Sequence, residues 1–194
     1  MKSLYLMSAA ASLLLAGCGS PDAANDDMAA SKSADTTTMG TMPAEAGATQ
    51  SAVAMLQTAD GKPAGRATAT AADGGVAVSL AVEGLPAGKH GAHVHTTGKC
   101  DAPKFETAGG HWNPTQAKHG LEDPAGQHAG DMPNLVVGED GRGTLSYQLK
   151  GATFAGLLDG DGSAIVIHAG ADDQKTDPSG DSGARIACGV FKAE

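Results

Sequence analysis

The chain has 194 residues, with 13 basic against 22 acidic side chains, for a formal charge of −9. That balance excludes nucleic acid as a partner and excludes an electrostatic grip on anionic lipid. The length fits one folded domain with terminal extensions.

The N-terminus reads as a leader. Lys2 precedes an apolar stretch from Leu4 to Leu15 that is too short to span a bilayer comfortably. Leu15-Ala16-Gly17-Cys18 then resembles the cleavage box of bacterial lipoproteins. In that class the chain is cut before the cysteine, the thiol takes a diacylglycerol and the new amine is acylated. The resemblance implies a signal peptide over residues 1–17 and a lipid anchor at Cys18; the alternative is an ordinary secretory signal with a stray cysteine. Several acyl chains hold a protein stably on a membrane where one does not. Gly19 is not the aspartate associated with inner-membrane retention, so the expected location is a periplasm-facing outer-membrane lipoprotein. The rest of residues 18–50 is Ala, Ser, Thr, Asp, Gly, Met and Pro-rich without an aromatic residue, and reads as a flexible linker. Met28, Met39 and Met42 there are soft copper donors by chemistry and filler by context.

Residues 51–194 carry the folded domain, and strand signals dominate it. Val53 to Thr58 and Arg66 to Ala72 are weak candidates, whereas Val76, Val78, Leu80 and Val82 alternate with small residues at period two. Leu145, Tyr147 and Leu149 repeat the pattern, Ala164 to Ile167 is a short continuous apolar run, and Ala184 to Phe191 is a further candidate. Asp60-Gly61, Asp73-Gly74-Gly75, Asp140-Gly141 and Asp159-Gly160-Asp161-Gly162 are turn signals. A calcium loop starting at Asp159 would need a glutamate where Gly170 stands, so that run is a turn. With 28 glycines and many short strands, the domain is expected to be all-β, a barrel or sandwich. The stretch from Thr96 to Asn134 lacks alternation, and a loop of that length is ordered only by something other than a sheet. With Cys18 assigned to lipid, Cys100 and Cys188 remain, and export makes a disulfide between them the default over two free thiols.

Six of the seven histidines stand at His93, His95, His111, His119, His128 and His168, with Asp131 among them. On a strand, His93 and His95 point to one face. His111 lies in the glycine-bearing Gly109-Gly110-His111-Trp112-Asn113-Pro114, and His168 follows the apolar run. An all-imidazole set of His93, His95, His111 and His168 suits copper, and a set of His111, His119, His128 and Asp131 suits tetrahedral zinc. The sharing of His111 is not derivable from spacing.

These residues, in their contexts, resemble the copper/zinc superoxide dismutase family, especially its bacterial periplasmic members. The resemblance covers most of residues 75–191. It rests on Val82-Glu83-Gly84-Leu85, His90-Gly91-Ala92-His93-Val94-His95, Gly98-Lys99-Cys100, Ala108 to Pro114, Lys118-His119-Gly120, His128-Ala129-Gly130-Asp131, Val166 to Asp173 and Ala184 to Val190. It implies an eight-stranded flattened Greek-key β-barrel, an immunoglobulin-like sandwich, with long metal-binding and electrostatic loops. It implies one copper on His93, His95, His111 and His168, and one zinc on His111, His119, His128 and Asp131. It further implies a Cys100–Cys188 disulfide, Asp172 as the carboxylate that orients His93 and His119, and no metal for His90. The implied activity is disproportionation of superoxide in the cell envelope, with His111 taking up a proton and Arg185 docking the anion. Members occur as monomers and as homodimers.

Between His168 and Arg185 a single cation, Lys175, stands against Asp172, Asp173, Asp177 and Asp181. Strong steering from that loop is therefore not expected; Lys99, Lys104 and Lys118 are the candidates to supply it. The rival readings are a copper/zinc-binding or copper-delivery lipoprotein on the same scaffold, and a zinc-stabilised structural domain.

Overall fold

The structure, a computed structural model, describes residues 49–194. The leader, Cys18, and Met28, Met39 and Met42 lie outside the described residues.

Ten strands follow in chain order: β1 (Ser51–Thr58), β2 (Pro63–Ala72), β3 (Gly75–Val82), β4 (Gly88–His90), β5 (Ala92–His95), β6 (Leu135–Val137), β7 (Gly143–Lys150), β8 (Ala164–His168), β9 (Arg185–Val190) and β10 (Lys192–Ala193). Alternation builds the long ones. In β1, Ala52, Ala54 and Leu56 are buried while Met55 and Gln57 are exposed, and in β3, Val76, Val78, Leu80 and Val82 turn inward. Asp73-Gly74 closes the β2–β3 hairpin: Ala72 pairs with Gly75, and Gly74 takes the positive φ of 77° that a two-residue turn asks for.

All pairings are antiparallel, in the order β4-β6-β7-β3-β2-β1-β9-β8-β5, with β10 beside β1. The two ends of this path, β4 and β5, are consecutive in the chain and separated only by Gly91. The sheet therefore curls into a nearly closed barrel. The Gly91 N–H donates to the Gly170 carbonyl, and the Gly91 carbonyl accepts from His168 N–H, both at 2.8 Å. Ten strands replace the eight expected because one edge is interrupted at Gly91 and the last strand at Phe191; joined across these single residues, the count is eight. A one-turn helix, α1 (Phe154–Leu157), is capped by the Thr153 hydroxyl, which accepts from Gly156 N–H.

One core fills the barrel, with Leu56, Val76, Leu80, Val94, Leu135, Leu149, Ile165 and Ile167 buried in it. A second, smaller cluster lies on the outer face of β8 and β9. There Phe105 and Ala108 of the long loop cover Ala164, Val166 and Cys188. That explains the unbroken apolar run of β8: Ile165 and Ile167 face the barrel, Ala164 and Val166 face the loop, and both faces are dry. The Cys100–Cys188 disulfide, closing 88 residues with a Cα–Cα distance of 5.7 Å, fastens that loop to β9.

The paired Cys100→Ser and Cys188→Ser replacement is expected to lower unfolding free energy by about 2–5 kcal/mol. Denaturant titration measures the loss. Hydrogen exchange should place the first loosening at residues 100–109, where the small cluster and the bonds to the carbonyls of Phe105, Ala108 and Gly109 would then hold the loop.

Candidate metal centre

The site starts from the two faces of β5. Ala92 and Val94 enter the barrel core, so His93 and His95 share the outer face. The Val94 backbone then recruits the loop. Its N–H donates to the Gly130 carbonyl at 2.9 Å, and its carbonyl accepts from Trp112 N–H at 2.8 Å. These bonds set a register that puts His111 across from His95 and Asp131 across from His93. Gly130 must lack a side chain, since a Cβ there would lie 2.2 Å from the Val94 oxygen. His168, the last residue of β8, comes from the strand next to β5 and not from a sheet edge.

His93, His95, His111 and His168 form the first set. Nδ1 of His93 and Nε2 of the other three are buried and have no hydrogen-bond partner, and donor atoms of the four lie within 4.8 Å of one another. The opposite nitrogens are occupied. His93 Nε2–H donates to Asp172 Oδ2 at 2.6 Å, His95 Nδ1–H to the Gly109 carbonyl at 3.0 Å, and His168 Nδ1–H to the Gly183 carbonyl at 3.1 Å. A proton on that side leaves a lone pair on the converging side. Buried polar atoms ordinarily find partners, so four unpartnered imidazole nitrogens at one point fit a cation with a preference for nitrogen, such as copper.

His111, His119, His128 and Asp131 form the second set, again within 4.8 Å. Asp131 Oδ1 faces Nδ1 of His111 at 2.9 Å, of His119 at 3.1 Å and of His128 at 3.2 Å, and the last lies 3.4 Å from His111 Nδ1. A tetrahedron with bonds of about 2.0–2.1 Å has edges of roughly 3.3 Å, so these separations fit zinc. Asp131 Oδ2 accepts from the backbone N–H of Gly120 at 2.9 Å and of His128 at 3.0 Å, which leaves Oδ1 for the cluster. His111 contributes Nε2 to the first set and Nδ1 to the second.

Asp172 connects the sets. Its Oδ1 accepts from His119 Nε2–H at 3.1 Å and from Gln174 N–H at 2.6 Å, and Asn134 grips its peptide through two bonds of 2.8 Å. His90 stands outside both sets, its two nitrogens facing the carbonyls of His168 and Pro86.

Electrostatics separate the sets. Burial is the largest influence on His93, His95, His111 and His168 and keeps them neutral; it lowers His93 to about 3, against the opposing pull of Asp172, and His168 to about 4. For His119, burial is outweighed by hydrogen bonds to Asp131 and Asp172, which raise it to about 9. Both carboxyls sit well below their ordinary range: burial raises them, and their histidine partners more than offset it.

A cavity of about 210 Å³ opens beside the first set, lined by His95, His111, His168 and Arg185 together with Pro178 and Ser179. The Arg185 guanidinium is fixed by donation to the carbonyls of Phe105 and Gly109, each at 2.6 Å. Gly109 thus anchors both Arg185 and His95. Of the lysines proposed for steering, Lys118 pairs with Asp177 at 2.7 Å and Lys104 lies 3.8 Å from Glu106, while Lys99 is exposed. Lys175 pairs with Glu122 at 2.8 Å.

The model of the copper/zinc superoxide dismutase family matches residues 63–191. The chain belongs to that family. A copper/zinc superoxide dismutase of Caulobacter vibrioides is 45% identical over 149 residues, which are 73% of this chain and 86% of that protein. One from Aquifex aeolicus is 44% identical over 68% of this chain and 82% of its own length. Among solved structures, the dismutase-like protein of Bacillus subtilis has a TM-score of 0.65 at 41% identity, covering 71% of this chain and 96% of that one. The copper/zinc superoxide dismutase of Brucella abortus has a TM-score of 0.61 at 27% identity, covering 73% and 99%. Copper and zinc are the metals of this family, and both donor sets fit them.

Asp172, expected from the family resemblance, does orient His93 and His119, whereas the other groups that hold the ligands and Arg185 give no sign in the sequence. The carbonyls of Phe105, Gly109 and Gly183 carry no residue signature, and Asn134, Gln174 and Asp177 are ordinary polar loop residues until folded.

The metal-free domain should be most stable near pH 6.5. Below that the unfolded chain takes up protons that buried His93 and His168 refuse, so stability falls with falling pH. Above it the proton on His119 is held up to about 9 while the unfolded chain has lost its own, so that contribution fades with rising pH. Denaturant titrations of chelated protein between pH 4 and 9 check the maximum, a window taken from these same shifts.

Proposed function

We propose that this protein disproportionates superoxide, with His93, His95, His111 and His168 holding copper and His111, His119, His128 and Asp131 holding zinc. The supporting observation is the convergence of four buried, unpartnered imidazole nitrogens beside a three-histidine, one-aspartate cluster that shares His111. In the reaction, two superoxide ions and two protons give one dioxygen and one hydrogen peroxide. One ion loses the electron that the other gains. Bound copper would supply the one-electron couple, and bound zinc, which has none, a fixed positive charge on the far side of His111.

The chain's own residues do the rest. Arg185 presents a guanidinium whose position is set before the substrate arrives, so docking a small anion requires little reorganisation. The cavity gives a small anion access to both Arg185 and the first set. His111 is held by Asp131 on its Nδ1 side, so Nε2 is the atom at which a proton can be kept facing the cavity and handed to the product. Asp172 keeps His93 and His119 in the tautomers their sets need.

Metal analysis with a superoxide-consumption assay tests this reading. Copper and zinc with dismutase activity are expected; copper without activity would favour a binding or delivery protein, and zinc alone a structural domain. Arg185→Ala should keep both metals and lower turnover roughly tenfold, the loss of a charged contact of about 1.5 kcal/mol. His119→Ala should lose zinc and retain copper.

The proposed organisation is a leader over residues 1–17, a lipidated Cys18 with a linker to residue 50, and a catalytic domain over 51–194 facing the periplasm. The lipobox-like Leu15 to Cys18 and the acidic charge, which offers no other hold on anionic lipid, support it. Among the described residues no helix is long and apolar enough to cross a membrane. Cys18→Ala should move the protein from the membrane fraction to the soluble fraction, and mass spectrometry of the parent should find the acyl chains on the mature N-terminus.

A further inference from the structure

The loop carrying His119 and the loop carrying Asp172 dovetail. Gly120 lies so close to the second loop that a Cβ would stand 1.9 Å from the Gln174 oxygen. Gly180 in turn lies so close to Asp172 and His119 that a Cβ would stand 1.8 Å from Asp172 Oδ1 and 2.8 Å from His119 Nε2. Between these two points sits Asp177. Its Oδ1 accepts from the backbone N–H of His119 at 2.6 Å and lies 4.0 Å from His128 Nε2, while Oδ2 meets Lys118 Nζ at 2.7 Å. The next two residues, Pro178 and Ser179, are walls of the cavity that holds Arg185. The turn is closed on its other side by Gly180 N–H donating to the Thr176 carbonyl at 2.7 Å, and by the Ser182 hydroxyl donating to the Ser179 carbonyl at 2.8 Å. One carboxylate therefore joins the backbone of a zinc-set histidine to the wall of the anion cavity.

The geometry assigns Asp177 as a specificity-determining positioning residue: through its bond to His119 N–H it holds Pro178 and Ser179 in place as one wall of the cavity, so that a diatomic or triatomic anion reaches Arg185 and the first set more readily than a larger one of equal charge. The inference rests on the copper reading of the His93, His95, His111 and His168 set. The bond to His119 carries the clamp. The Lys118 pair is exposed, and pairs of that kind contribute little.

The test uses the copper- and zinc-loaded protein and two monoanions of different size. Azide binding is read from its charge-transfer absorption with copper(II), and reduction by ascorbate from the loss of the copper(II) EPR signal. In Asp177→Ala, ascorbate reduction should rise about tenfold, the scale on which a shaped pocket discriminates by size, while the azide dissociation constant stays within about twofold. Asp177→Asn keeps an oxygen that can accept from His119 N–H and should restore the parent's ascorbate rate. Lys118→Met, which removes only the exposed pair, should do the same.

A folded Asp177→Ala protein with the parent's ascorbate rate would overturn the proposal, as would an equal change for both anions. Asparagine behaving like alanine would overturn the clamp in favour of bare charge. Should the alanine variant not fold, Asp177→Glu keeps the charge but lengthens the clamp, and must also speed ascorbate for the proposal to stand. A parent protein that binds no azide would instead defeat the copper reading, a result distinct from all of these.

Discussion

The structure depends on one residue whose outward backbone groups the barrel leaves unpaired. β5 is an end of the sheet path, so the outward N–H and carbonyl of Val94 have no strand partner within the barrel itself. An open edge of this kind is a hazard for association. Here the long loop covers it: Gly130 and Trp112 take both groups, and in doing so dictate which loop residues face which strand residues. The bonds that cap the edge are the bonds that bring His111 beside His95 and Asp131 beside His93. Edge protection and ligand placement are one arrangement.

Around that frame His93, His95 and His168 are oriented from behind. A carbonyl or carboxylate occupies the nitrogen that points away, burial keeps the rings of the first set neutral, and the remaining lone pairs converge. The second set works the other way. Two carboxylates of depressed pKa flank His119 and hold a proton on it in the absence of metal, so zinc would displace a proton on binding. Asp172 links the two regimes, and Gly109 links the first to Arg185.

Legibility in the sequence followed burial. β3 and β7 have one face in the core and one toward solvent, so their alternation was readable. β8 is dry on both faces and showed only an apolar run, which marks a buried segment without saying what covers it. β4 and β6 are three residues each, too short for any period, and α1 is a single turn. β1 was weak because alanines line its inner face while Val53 and Met55 look outward, which blunts the contrast in hydrophobicity. The leader was legible as a local pattern, and lies outside the described residues.

The sequence by itself determined the chemistry on offer. Histidine and aspartate types select the metals, His-Val-His on a strand commits two rings to one face, and two cysteines left for an exported domain pair with each other. These follow from residue type and short spacing, which folding does not alter. Convergence belongs to the tertiary structure, and in the sequence only the family resemblance implied any of it. That His111 serves two sets, that Asp172 reaches both His93 and His119, and that Asp177 ties His119 to the cavity wall are contacts across 12 to 79 positions of the chain, counting the His119–Asp131 pair as well. They join groups far apart in the chain and depend on backbone carbonyls and amides that look alike in every sequence until the fold chooses among them.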